Sequence, residues 1–205
     1  EPIEGGQRHS FTTIALYVRG IAAHYANDPE KVKDYLTKVI KATQPEAGDT
    51  DNSFRRRAAN AHYYIGITEL NFGNTQKAVD CFDQANMLDP DGTDFLTKLV
   101  TAEAYAMKGP DDFGRAKEFI TTVETGVDLK KDNEGNLATF YLHLRSRAVL
   151  MQANMAIVKR EKSFPQVVKQ LLEQTHEDDP GYYYATVTLA QAYHAQSDGG
   201  DKARE

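Results

Sequence analysis

The stretch that decides the fold runs from Ala59 to Pro90 and reads ANAHYYIGITELNFGNTQKAVDCFDQANMLDP. Gly73 and Asn74 interrupt it, and the Thr75 hydroxyl can cap a helix that starts there. Four apolar residues then recur at helical spacing and form one stripe: Ala78, Val79, Phe82 and Ala85. Proline cannot continue a helix, so Pro90 ends the pattern. The stretch therefore predicts a helix, a sharp turn and a second helix.

This stretch resembles a tetratricopeptide repeat (TPR), a helix–turn–helix motif of about 34 residues. The matching residues are Ile65, Gly66, Gly73, Ala78, Phe82, Ala85 and Pro90. Glu69 departs from the family, which usually has an aromatic residue four positions before the turn glycine. The resemblance implies that Gly66 and Ala78 are small because they face each other within the helix pair. It also implies that Phe82 fills the space between this pair and the next.

Helical patterns on both sides of this stretch resemble further repeats. In the first, Asn27 stands where the turn glycine would be, Asp28 is a natural cap and Pro29 fits the first helical position. A loop is expected from Ala47 to Ser53, and Gly126 is expected to end the second helix of the third repeat. After a flexible lead-in at residues 1–10, the expected repeats are residues 13–46, 59–92, 95–128, 137–180 and a truncated 182–205.

The resemblance implies an all-α fold, a right-handed α-solenoid of antiparallel helix pairs (a TPR-like superhelix). It would contain about four repeats plus part of a fifth, as one domain over residues 11–205. Because the chain starts at Glu1 and ends on what looks like the opening of a helix, we expect a fragment of a longer or processed protein.

Composition excludes several functional classes. The net charge of −6 argues against broad nucleic-acid binding, which needs a basic surface. No apolar run is long enough to span a membrane. Cys81 is the only cysteine, so no internal disulfide can form and the redox compartment stays open. In a helix beside Phe82, Cys81 is better explained as a small packing residue than as a reactive thiol.

No motif with catalytic spacing is present. The six histidines are scattered, without the pairs that bind zinc, and phosphate-binding or dinucleotide-binding glycine loops are absent. The acidic runs 89–94 and 132–136 lack the alternating ligands of a calcium loop. The prediction is therefore a protein that is not an enzyme, with no cofactor and no metal site.

In TPR-like proteins the first helices of successive repeats line a concave groove that binds an extended or helical segment of a partner. By this resemblance the candidate groove residues are Tyr17, Ile21, His24, Asn60, Tyr63, Ile67, Asn71, Leu99, Glu103, Met107, Tyr184, Gln191 and His194. The family members that clamp a C-terminal carboxylate use lysines and asparagines along these helices. Tyr63, Ile67, Leu99 and Glu103 stand here instead, so that subtype is disfavoured.

The favoured function is a scaffold module that binds a protein or peptide partner. Alternatives remain open: a structural or self-associating segment of a larger repeat protein, or an accessory domain of an enzyme whose catalytic part lies elsewhere. Arg55, Arg56 and Arg57 suggest a local contact with an anion or an acidic partner. A solvated helix end is the simpler explanation of that run.

Overall fold

The computed structural model describes residues 11–43, 52–89, 95–130 and 139–159, with a few separate positions between 166 and 194. In these ranges seven α-helices form and no strand does. They are α1 Phe11–Tyr25, α2 Pro29–Ala42, α3 Asn52–Asn71, α4 Thr75–Leu88, α5 Phe95–Lys108, α6 Phe113–Asp128 and α7 Thr139–Lys159. A short 3-10 helix, Pro110–Asp112, precedes α6. Most of the second helix of the predicted fourth repeat lies outside the described residues, and so does most of the predicted fifth repeat.

The chain divides into two compact units, Glu1–Ala104 and Tyr105–Glu205, with the boundary inside α5. In the first unit α1 packs on α2, α2 on α3, and α3 on α4. The core shared by α1, α2 and α3 consists of Ala23, Val32, Leu36, Val39, Ala61 and Ile65. In the second unit α6 packs on α7, and the fully buried side chains include Ile120, Val123, Val127, Val149 and Met155. That residues 11–205 form one domain stays a prediction.

The α1–α2 pair and the α3–α4 pair each contain a turn, and the two turns have the same geometry. Asn27 has a φ of 55° between α1 and α2, and Gly73 has a φ of 77° between α3 and α4. The next residue in each turn donates its backbone N–H back into the preceding helix, Asp28 to Ala23 at 2.9 Å and Asn74 to Glu69 at 2.9 Å. Asparagine tolerates the left-handed conformation better than most residues, so Asn27 takes the place of the turn glycine as predicted.

The helix caps follow the prediction at one turn and not at the other. Asp28 caps α2, because its Oδ1 accepts a hydrogen bond from the Lys31 backbone N–H at 3.2 Å, and Pro29 is the first helical residue. The assignment of Thr75 as a cap is wrong, since the capping position of α4 is Asn74 and Thr75 is its first residue. The Asn74 side chain makes no capping bond.

Two other boundaries differ from the prediction. The expected loop overlaps α3, which already begins at Asn52, and the buried Phe54 shows that this first turn packs against the core. Gly126 does not end α6, which continues to Asp128 because the fully buried Val127 keeps the last turn packed.

In the α1–α2 pair and in the α3–α4 pair, the two helices pack closely because a glycine lies between them. A Cβ on Gly20 would collide with the Leu36 side chain, and a Cβ on Gly66 would lie 2.6 Å from Cε1 of Phe82. The larger residue follows its glycine at the same interval in both pairs, so they are equivalent contacts. The three atoms nearest to a Cβ on Gly66 all belong to the Phe82 side chain, and the contact of Gly66 with Ala78 stays a prediction. Phe82 fills the space inside its own pair.

Glu69, the residue that departs from the family pattern, carries a buried carboxylate with two partners. Lys33 of α2 lies 2.9 Å from Oε1, and the Asn74 amide donates to Oε2 at 2.7 Å. Burial raises the pKa of Glu69, but the bonds from Lys33 and Asn74 outweigh it and hold the pKa below its ordinary value. The carboxylate thus joins α2, the end of α3 and the following turn.

We expect Gly66→Ala to lower the free energy of unfolding by about 1–3 kcal/mol, because the added methyl overlaps the Phe82 ring. Gly114→Ala is a matched control, since no atom lies within 4 Å of its Cβ position in α6. The control should gain up to about 1 kcal/mol from helix propensity. Urea denaturation measures both, and equal effects of the two substitutions would contradict the packing.

We expect Lys33→Met to cost about 1–3 kcal/mol, because it removes the ion pair of the buried Glu69 carboxylate and leaves the Asn74 amide as its hydrogen-bond donor. Lys33→Met combined with Glu69→Gln removes the unpaired charge and should recover part of that loss. A double-mutant cycle by urea denaturation gives the coupling. Additive effects would show that the two side chains do not interact.

Candidate functional site

Helices α1 and α3 lie side by side in the first unit, and their polar side chains meet at both ends of the contact. Tyr17 forms a side-chain hydrogen bond with Asn60. Nδ1 of His24 lies 3.4 Å from the Thr68 hydroxyl, and the His24 ring meets the Tyr64 ring edge-on at 5.3 Å. The Thr68 hydroxyl itself donates to the Tyr64 carbonyl at 2.8 Å. Its oxygen is therefore placed to accept the weak bond from a His24 Nδ1–H.

Seven of the predicted groove residues belong to these two helices and together form what we call the α1–α3 surface. They are Tyr17, Ile21, His24, Asn60, Tyr63, Ile67 and Asn71. Asn60 and Asn71 are exposed and the other five are half-buried. The Tyr63 ring packs against Tyr64 at 5.3 Å and against Phe82 at 6.2 Å. Its orientation is thus fixed by the core of the helix pair.

The α1–α3 surface is neutral at physiological pH. Burial raises the pKa of Tyr17 above its ordinary value of 10.0, although the Asn60 bond and the Arg57 charge act the other way. Burial lowers the pKa of His24 below 6.5. Both rings are therefore mainly uncharged near pH 7, and the remaining five residues are amides, aliphatics and a tyrosine. Contacts available here are apolar, aromatic and hydrogen-bonding.

The other candidate groove residues lie on other segments of the chain, and the structure describes Leu99, Glu103, Met107 and His194 among them. Leu99 is fully buried, so it belongs to the core and we leave it out of the candidate site. On the same helix, Glu103 is half-buried and Met107 is exposed, and they fall in different units. His194 is exposed. The positions of Tyr184 and Gln191 lie outside the described residues.

A cavity of about 560 Å³ opens at the Tyr17 end of the α1–α3 surface. It is lined by Tyr17, Asn52, Ser53, Arg56, Arg57 and Asn60. The arginine run was the sequence signal for it, but the sequence could not say which arginines line it, and the exposed Arg55 is not among them. The simple interpretation of a wholly solvated helix end does not fit Arg57, which is half-buried.

Potential metal ligands and the one cysteine can be assessed in the described part of the chain. No group of three or more histidine, cysteine or acidic side chains there could hold a metal ion. Cys81 is half-buried, and burial raises the pKa of its thiol to about 11, with the nearby Glu69 charge adding to the effect. The thiol is protonated at neutral pH, which suits a packing role. No helix in the described part of the chain is long and apolar enough to cross a membrane.

Comparison with known proteins identifies the fold. No protein-family model and no curated protein matches the chain. Among solved structures, it is similar to the crystal structure of a candidate kinesin light chain with nearly identical TPR-like repeats from Podospora anserina. The TM-score is 0.52, the identity is 12%, and the match covers 93% of this chain and 90% of that one. The chain therefore has an all-α, TPR-like fold of the α-solenoid class.

Two half-buried histidines should titrate below the ordinary value. Burial lowers the pKa of both His24 and His62 below 6.5. The folded state then favours the neutral rings, so stability is complete above about pH 6.5 and declines as the pH falls from there towards the folded pKa. We expect NMR titration to place both values below 6.5. We also expect His62→Gln to flatten the loss of stability between pH 7.5 and 5.5, and an unchanged slope would contradict this.

Proposed function

We propose that this chain is a protein-interaction module whose α1–α3 surface binds an extended or helical segment of a partner protein. TPR-like repeat folds generally serve as interaction scaffolds, and the first helices of their repeats usually carry the binding surface. The observation that carries the proposal is the pairing of Tyr17 with Asn60 and of His24 with Thr68. These contacts hold two first helices together and make their side chains one continuous surface.

The residue types on this surface suit a peptide. Tyr63 and Ile67 supply apolar area at its middle, and the Tyr63 ring is held by its contacts with Tyr64 and Phe82. A ring that is already ordered loses little entropy when it binds. The exposed amides of Asn60 and Asn71 can pair with the backbone of a partner segment. Because the surface is neutral, binding to it should depend only weakly on salt.

A second candidate function is self-association, which a separate observation favours. Phe11, Val18 and Tyr25 of α1 are 92%, 58% and 78% exposed, and they share one face of that helix. In repeat arrays such faces stack on a neighbouring repeat or on a copy of the chain. Size-exclusion chromatography with light scattering at several concentrations tests this, since Val18→Lys should then shift any dimer towards monomer.

We expect Tyr63→Ala combined with Ile67→Ala to weaken peptide binding at least tenfold, because central aromatic and aliphatic anchors usually dominate such contacts. Peptides are selected from a random library on the wild-type protein and measured by fluorescence polarisation at 50 and 500 mM salt. The matched control is Met87→Ala with Leu129→Ala, which removes exposed apolar side chains elsewhere and should have no effect. Circular dichroism checks that each variant folds.

Because Tyr63 also touches Phe82, a second variant leaves the core unchanged. Asn71→Ala replaces an exposed amide and should weaken the same peptides several-fold. The proposal fails if the selected peptides bind both variants as tightly as the wild type. It also fails if their affinity collapses at high salt, since the surface offers no ion pairs.

A further inference from the structure

The cavity at the end of the α1–α3 surface has the composition of an anion site. Among the six described residues that line it, Arg56 and Arg57 carry positive charge, and none of these six carries negative charge. Asn52, Ser53, Asn60 and Tyr17 add hydrogen-bonding groups around the same space. It also opens beside the first turn of the 20-residue helix α3, where the helix dipole is positive. The arginine charges, the hydrogen-bonding groups and the helix dipole therefore all favour an anionic ligand.

The state of Arg57 points to a missing partner. Its Nη1 nitrogen is buried, yet no described residue offers that atom a hydrogen bond. A buried donor without a partner costs about 1–3 kcal/mol, more when it is charged, so such groups in folded proteins usually pair with something. Arg57 also lines the cavity, so a ligand there can reach the same guanidinium group.

Arg56 makes a long, exposed ion pair with Asp89. Its Nε lies 4.0 Å from the nearer oxygen of Asp89, and about two-thirds of the Arg56 side chain is exposed. An exposed pair at that separation contributes little and can be exchanged for a better one. The cavity can thus present two guanidinium groups to one ligand, and two positive charges match a doubly charged phosphate better than a singly charged carboxylate.

We propose that this cavity binds a phosphoryl group, carried by a phosphorylated serine or threonine of the partner segment on the α1–α3 surface. The link to a partner is continuity, since Tyr17 and Asn60 belong both to that surface and to the cavity wall. The volume of about 560 Å³ accommodates a phosphorylated side chain together with water. The inference rests on the proposed function and adds to it a requirement for modification of the partner.

The chain offers a matched pair of variants for the test. Arg57→Gln removes a charge that lines the cavity, and Arg55→Gln removes the same charge two positions away on the same helix, outside the cavity. The first probe is inorganic phosphate, titrated into isotopically labelled protein and followed by NMR, with acetate as the carboxylate control. We expect saturable shifts at Tyr17 and Asn60 with phosphate, lost in Arg57→Gln and kept in Arg55→Gln.

The second probe is a peptide library with a fixed central phosphoserine, compared with matched libraries that have serine or glutamate there. We expect wild type and Arg55→Gln to bind selected phosphoserine peptides at least tenfold more tightly than their serine counterparts, and Arg57→Gln to lose that preference. The phosphoryl site is overturned if serine or glutamate peptides bind the wild type as tightly as the phosphoserine peptides do. It is also overturned if Arg55→Gln and Arg57→Gln lose affinity for the phosphoserine peptides equally.

Binding of inorganic phosphate without any preference for phosphoserine peptides would show a free-anion site and overturn the assignment to a partner. The proposed function is judged separately by the Tyr63 and Ile67 variant and by unmodified peptides. Serine peptides that bind the wild type as tightly as their phosphoserine counterparts would leave that function intact while refuting this inference. If the Tyr63 and Ile67 variant binds phosphoserine peptides as tightly as the wild type does, the proposed role of the α1–α3 surface fails and the cavity site is unaffected.

Discussion

The structure of the first unit depends on the close approach of two helices across a glycine. Gly20 lies against Leu36 and Gly66 against Phe82, with no room for a Cβ at either position. Leu36 and Phe82 are both fully buried, so each fills the space that its glycine leaves. The second helix of each pair therefore sits close behind the first. The first helices α1 and α3 also contact each other, and their side chains form the α1–α3 surface.

Much of this was predictable from sequence, because it depends on local rules. A residue that tolerates positive φ marks each turn, and Asn27 could be read as the equivalent of Gly73 by position alone. Gly66 was correctly read as a site of close approach. Spacing predicts that a small residue lies at a tight contact, whereas only the relative rotation of the two helices shows that the Phe82 ring is the nearest group.

The candidate site was less predictable, since it depends on contacts between distant segments. Leu99 follows the spacing of a groove residue, yet neighbouring elements bury it completely. The Thr75 assignment failed because hydroxyl chemistry suits either position at the helix start. Asn74 stands at the cap, and its amide is turned towards Glu69, a carboxylate that pattern matching marks only as a departure. Likewise, three adjacent arginines look alike in sequence, and only the cavity distinguishes Arg57 from Arg55.

The α1–α3 surface and the cavity beside it would contribute to binding in different ways. Apolar and amide contacts on the neutral surface are short-ranged and hardly screened, so they fix how a segment lies. Guanidinium groups in the cavity act over longer distances and depend on salt and on the charge of the ligand. Because Tyr17 and Asn60 border both regions, a ligand group in the cavity would set the register of the segment on the surface. A charge added to the partner would then select one register among several that the neutral surface accepts.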